Sequence, residues 1–187
     1  MPYAPPPELA TLSLTQVAEL VAARALPPVN DWNPEITGDS EMQILSDGRW
    51  LHQGGAITRP AMVRAFSSLL RCNNGQHYLV TPHEKLTIIV DDAPFLAVEL
   101  RSEGIGAARN LAFRLNTDDL VILDAAHPLV MRNDTAPNLP YINVRGELWA
   151  KLSRPVYYEM AELALAENPE NPGLYSGGQF FPFGDAV

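Results

Sequence analysis

The sequence predicts an α+β protein, with an N-terminal helix followed by two related small lobes of mostly antiparallel strands, each carrying one helix. Three observations lead there. Apolar residues recur at helical spacing near the start and again near the end, the stretch between switches to short runs bounded by turn residues, and one helix-opening motif occurs twice. The expected divisions are residues 1–40 for an arm and helix, 41–103 for the first lobe and 104–187 for the second.

Met1 to Glu8 contains Pro2, Pro5, Pro6 and Pro7 and reads as an extended arm, because proline lacks the N–H a helix needs. Ser13 and Gln16 then form a capping box, with Leu12 and Val17 as its hydrophobic staple. Leu14, Val17, Leu20, Val21 and Ala25 continue the helical stripe until Pro27-Pro28 stops it. The turn-rich connector Pro27 to Asp39 is expected to anchor through Trp32.

From Met42 the pattern becomes hairpin-like: Met42 to Leu45, the turn Ser46-Asp47-Gly48, then Arg49 to Gln53. Thr58 as N-cap and Pro60 in the first turn predict a helix over Arg59 to Arg71, with Val63, Phe66 and Leu70 inward. Strands are expected at His77 to Thr81, Leu86 to Val90 and Phe95 to Arg101, closing the first lobe. Further strands follow at Leu111 to Leu115, Leu120 to Leu123, Leu129 to Arg132 and Tyr141 to Arg145. A second helix, capped by Ser153, runs from Arg154 to Glu167, and the tail from Tyr175 to Phe183 is expected to pack back through its aromatic rings.

Ile57-Thr58-Arg59-Pro60 and Leu152-Ser153-Arg154-Pro155 share an apolar, hydroxyl, Arg, Pro order 95 residues apart, each after a Trp-containing segment. A duplicated strand-to-helix unit would place Arg59 and Arg154 at equivalent helix starts, where backbone N–H groups attract anions.

Composition narrows the function classes. The net charge of −9 and pI near 4.8 exclude a duplex-binding surface, which needs dense basic charge. Residues 1–41 hold six acids and one base, and residues 155–187 hold five acids and no base, so the middle carries a net +1, with ten Arg among its twelve bases. A guanidinium forks onto phosphate or carboxylate as Lys cannot. No run of about 18 apolar residues and no basic-then-apolar leader appears, so no membrane span and a cytoplasmic location are expected. The single Cys72 supports neither a disulfide framework nor a multi-Cys zinc site, and without a base motif beside it no catalytic part is expected of it.

Motifs for chemistry are sparse. No His-x-His or His-Glu-x-x-His spacing supports a metal, no Gly-x-Ser-x-Gly elbow or Walker loop is present, and Gly104-x-Gly106-x-x-Arg109 reads as a turn. No cofactor is therefore expected. His83, Glu84 and Lys85 are consecutive, so alternation puts His83 and Lys85 on one side of a strand and Glu84 on the other. Arg59, Lys85, Arg145 and Arg154, with Trp50, Tyr141 and His127, supply cations for phosphate and flat rings for a base, and His52 can face the groove between lobes.

The residues Asp47-Gly48-x-Trp50-x-His52-x-Gly54, Ile57-x-Arg59, Leu79-Val80-Thr81-Pro82-x-Glu84-Lys85, Asp92-Ala93-Pro94-Phe95, His127-Pro128-Leu129, Pro140-Tyr141 and Val144-Arg145 together form a recognisable pattern. It resembles the proteobacterial proteins grouped as domain of unknown function family 1285, over roughly Pro28 to Gly184. Asn116-Thr117-Asp118-Asp119 departs from the Thr-Asn pair expected there. The resemblance implies a duplicated core, a C-terminal lobe similar to pleckstrin-homology folds, a ligand site between the lobes and a role in signal transduction with a nucleotide-like ligand. No activity comes with it.

The reading is thus a noncatalytic cytoplasmic regulator that binds a small anionic ligand between the lobes, through Trp50, His52, Arg59, His83, Glu84, Lys85, His127, Tyr141, Arg145 and Arg154. Its acidic ends would meet a protein partner. The alternatives are a hydrolase using His83 or His127 as base with Glu84, and a protein-interaction module without a small ligand.

Overall fold

The computed structural model describes residues 8–132 and 139–183, so the proline arm before Glu8 and the terminal Gly184 fall outside it. Helix α1, Leu14–Ala23, opens as expected: Ser13 Oγ accepts from Gln16 N and Gln16 Oε1 accepts from Ser13 N. The helix ends short of Pro27 because Arg24 leaves helical geometry and turns its side chain to Asp119. Leu9, Leu12 and Val17 are buried with Ala112, a residue of the second lobe. Glu99 and Glu103 of that lobe accept from the N–H groups of Leu9 and Leu14. The first helix in sequence therefore belongs to the last lobe in space. Between them, Arg71 donates to the carbonyls of Val29 and Trp32 and fixes the connector, with the Trp32 side chain half-buried.

The first sheet contains β1 (Ile36–Ile44), β2 (Trp50–His52), β3 (Gly55–Ala56), β4 (Leu70–Asn73), β5 (Gln76–Val80) and β6 (Glu84–Val90). Their spatial order is β3-β2-β1-β6-β5-β4, with β1 and β6 parallel at the centre and every other pairing antiparallel. The second sheet contains β7 (Phe95–Glu103), β8 (Asn110–Leu115), β9 (Leu120–Ile122), β10 (Leu129–Met131), β11 (Pro140–Arg145) and β12 (Leu148–Leu152). Its order, β10-β11-β12-β7-β8-β9, repeats the pattern, with β7 and β12 as the central parallel pair. In both sheets the chain runs from the centre to one edge, crosses to the other edge and returns. The molecule is therefore α+β with two related lobes.

Four expectations need correction. Strand β7 pairs with β8 and β12, so the first lobe ends before Phe95 and not at residue 103. Helix α2 (Pro60–Ser68) has Arg59 as its N-cap in place of Thr58 and stops before Leu70, which is buried on β4. Cys72 therefore sits within β4 rather than at a helix end. Finally, α2 makes the crossing from β3 to β4, whereas helix α3 (Arg154–Glu167) follows the completed second sheet, and the equivalent crossing from β9 to β10 runs through residues 123–128. Arg59 and Arg154 are thus not equivalent. The duplication lies in the sheets, and the shared helix-opening residues reflect what any helix start with an early proline favours.

Both sheets share one core. Met42, Ile44, Trp50, Leu70 and Ile88 of the first are continuous with Phe95, Phe113, Ile142 and Leu152 of the second and with Val156 and Met160 of α3. The tail packs back as expected: β13 (Gly173–Ser176) and β14 (Gln179–Pro182) form a hairpin that buries Leu174, and Phe183 stacks on Tyr157. Ser176 Oγ donates to Leu123 O and accepts from Leu111 N.

One turn joins the lobes directly. Gly48 has φ +86°, and an added Cβ there would lie 2.7 Å from the Asn116 side-chain nitrogen, which donates to Gly48 O while Asn116 Oδ1 accepts from Leu96 N. Gly54 has a similar φ of +79° but open space around it. Gly48→Ala is expected to lower stability by about 1–2 kcal/mol from the left-handed backbone alone, and further through Asn116, so its urea midpoint should fall below that of Gly54→Ala.

Candidate functional site

The ten residues expected to share a site fall into separate places. Trp50 is core, 1% exposed and stacked on Phe66, and Tyr141 is core with its hydroxyl donating to Asp92 Oδ1 at 2.8 Å. Arg59 and Arg154 are exposed at their helix starts, and His83 is exposed in the turn before β6. Lys85 Nζ lies 3.8 Å above the Tyr78 ring, while Glu84 and His52 line a cavity beneath α2, so strand alternation separates Glu84 from Lys85. His127 and Arg145 line a different cavity, between α1 and the second lobe and beside the seam that the Arg145–Ser67 contact makes with the first.

That cavity has a volume of about 310 Å³ and is bounded by α1, β9 and β11. Asp119, in the turn between β8 and β9, is its hub. Arg24 Nε donates to Asp119 Oδ1 at 2.6 Å, and Arg64 from α2 holds the same oxygen at 3.6 Å while donating to Thr117 O at 2.9 Å. Arg145 reaches across from β11, donates to Ser67 O at 2.7 Å and lies over the Phe95 ring. Burial pulls Arg145 below the usual guanidinium value, with Asp119 opposing and Arg24 reinforcing the effect, and Arg64 behaves in the same way. Two cations thus pair with one carboxylate, and a third, Arg145, lines the same cavity near enough to feel its charge. Arg24 Nη2 is buried with no hydrogen-bond partner among the described residues. At the rim, Asp124 holds His127 Nδ1 at 3.1 Å and both backbone N–H groups of Ala126 and His127.

The opposite seam holds a cavity of about 380 Å³ lined by Cys72, His77, Asp92, Arg132, Glu147 and Trp149, among others. Asp92 is saturated by Tyr141 and by Lys151 Nζ at 2.6 Å. Glu147 accepts from Gly75 N and faces Cys72 Sγ at 3.7 Å. Burial, with the Glu147 charge adding to it, pushes the Cys72 thiol up, which disfavours the nucleophilic thiolate. Burial also pushes His77 down, Glu147 opposing and Arg132 reinforcing, so its neutral form is favoured. Among the described residues no group of three metal-ligating side chains converges. No helix among them is long and apolar enough to cross a membrane.

Sequence reasoning missed Arg24, Arg64 and Asp119. Two signals pointed to Arg24 and Asp119 and none to Arg64: Arg24 is the one base in the first 41 residues, and Asp119 lies in the turn that departs from the expected pattern. Their convergence depends on α1 packing against the second lobe.

Two family descriptions match the chain: "Domain of unknown function (DUF1285), N-terminal domain" over residues 27–93 and "Protein of unknown function (DUF1285), C-terminal domain" over residues 94–183. Their junction coincides with the passage from β6 to β7. The crystal structure of a DUF1285 family protein from Silicibacter pomeroyi DSS-3 is 41% identical with a TM-score of 0.78, covering 87% of this chain and 92% of that one. One from Shewanella baltica OS155 is 26% identical with a TM-score of 0.54, covering 65% of this chain and 90% of that one. No curated protein matches.

Proposed function

The chain belongs to the DUF1285 family, and from that premise we propose that it is a noncatalytic regulator whose ligand is a small phosphate-bearing, nucleotide-like anion held at the seam between the lobes. One observation carries this reading: Arg24 and Arg64 share Asp119, and Arg145 lines the same open cavity as Arg24 and Asp119. Burying like charges is costly unless an anion compensates them, and a guanidinium cluster suits phosphate oxygens geometrically. Val21, Leu26 and Val144 give the cavity an apolar wall for the rest of the ligand, and His127 stands at its rim. Because Arg64 and Ser67 come from the first lobe and Arg145 and Asp119 from the second, a ligand here bears on how the lobes sit together, which suits a role in signal transduction. The six strands followed by α3 support the pleckstrin-homology-like reading of the second lobe. The hydrolase reading needs His83 or His127 beside Glu84, but Glu84 lines the cavity beneath α2, His127 pairs with Asp124 at another cavity with side chains 35% and 39% exposed, and His83 is exposed in the turn before β6.

A thermal-shift series with inorganic phosphate, pyrophosphate and nucleotides tests the proposal, since a ligand that binds the folded state raises its stability. At least one of these anions is expected to raise the Tm, and Arg145→Ala to weaken its binding about tenfold or more. No shift with any anion, or equal binding by Arg145→Ala, would overturn the proposal in favour of an interaction module without a small ligand.

A further inference from the structure

The first lobe contains a second cavity, independent of the seam. Helix α2 lies over the sheet formed by β1, β2, β5 and β6, and between them is a space of about 300 Å³. Met42 and Leu79 form its floor, Ile57 and Leu86 its sides, and Phe66 and Met62 of α2 its roof. The ring of Phe66 is held by its stack on Trp50, whereas Met62 is 39% exposed, an adaptable side chain at the opening. A largely apolar space of this size with a few polar groups has the form of a small-molecule pocket.

The polar groups decide the ligand. Ser40 and Thr81 are already engaged: Ser40 Oγ donates to Thr87 O at 2.7 Å and accepts from Met42 N, and Thr81 Oγ1 accepts from the N–H groups of His83 and Glu84. What remains is the Glu84 carboxylate, half-buried and without a hydrogen-bond or ion-pair partner among the described residues, and, on β2 opposite Met42 and so toward the other end of the cavity, the exposed His52 imidazole. Lys85, the nearest base in sequence, is turned to the other face of β6 and lies over Tyr78. A carboxylate at the edge of an apolar cavity repels acids and attracts an N–H-bearing cation. The net charge of −9 favours the same sign of ligand.

We infer that this cavity binds a small organic ammonium ion: its apolar body lies between α2 and the sheet, and its charged nitrogen donates to Glu84. The space equals about ten water volumes, which suits an arylethylamine or an alkylamine of about six carbons. The site differs in place and in sign from the arginine cluster at the seam, so one molecule can carry a cation site and an anion site without competition between them.

Calorimetric titration of the full chain with 2-phenylethylammonium, n-hexylammonium, hexan-1-ol and hexanoate tests this. The ammonium ions are expected to bind about tenfold or more tighter than the alcohol, as a charge-assisted hydrogen bond predicts, and hexanoate to give no heat. Glu84→Gln should bring the amines to the affinity of the alcohol while leaving the alcohol unchanged. The methyl resonances of Met42 and Met62 should shift on amine addition, which places the ligand under α2. Absence of amine binding, equal binding of amine and alcohol by the wild type, full amine affinity in Glu84→Gln, or unmoved methionine methyls would each overturn the assignment.

Discussion

Asp119→Ala should destabilise the protein by about 3 kcal/mol, the range seen when one partner of a buried ion pair is removed. The Asp119 side chain is 9% exposed, and those of Arg24 and Arg64 are 25% and 23% exposed. Deleting the carboxylate removes the anion that Arg24 and Arg64 share and that opposes the burial of Arg145, and it also removes the acceptor of the Thr117 hydroxyl. The signature that separates this from ordinary packing loss is anion rescue. Phosphate should raise the Tm of Asp119→Ala more than that of the wild type, because the variant's cluster carries one negative charge fewer. Urea denaturation with and without phosphate reads both effects. A loss within the roughly 0.5 kcal/mol typical of surface substitutions would defeat the account of buried cations, and a variant indifferent to phosphate would count against the anion site itself.

Trp50→Ala has the other large expected effect, a loss of about 3–5 kcal/mol. Trp50 is 1% exposed, lies in the core shared by both sheets and supports Phe66 of α2 at a ring separation of 6.5 Å. Its Nε1 is buried with no hydrogen-bond partner among the described residues. Trp50→Phe, which gives up ring volume but no hydrogen bond, should therefore cost clearly less than Trp50→Ala. Equal losses for the two substitutions would mean that the indole nitrogen, rather than the ring, carries the stability. Neither change touches the seam, so phosphate binding by the folded fraction should persist.

Much of this architecture is legible in the chain itself. The capping box at Ser13, the full span of α3 and most of the strands follow from local rules, because caps, prolines and apolar periodicity act over a few residues. Errors arose where a strand's partner mattered more than its own residues. Phe95–Glu103 reads as a strand from sequence, yet nothing within it says that it pairs with β8 and β12 rather than with β6. The helix-opening motifs at Arg59 and Arg154 are locally alike, and their likeness concealed that one helix crosses a sheet while the other follows a finished one.

The candidate sites were legible only in part. Sequence supplied Arg145, His127, Glu84 and His52 as chemically capable groups, and strand alternation separated Glu84 from Lys85. It did not show that Trp50 and Tyr141 are core, since an aromatic residue suits a core and a ligand site equally well. Nor did it join Arg24 to Asp119, 95 residues away in the chain. By itself, then, the sequence determined the kinds of element, most of their extents and the residue types available for binding, all of which depend on interactions between near neighbours. The tertiary structure alone decided which sheet each strand joins, that α1 packs on the second lobe, and that Arg24 and Arg64 share Asp119 beside a cavity Arg145 also lines. Those outcomes rest on burial and charge compensation between distant segments, and no local pattern encodes them.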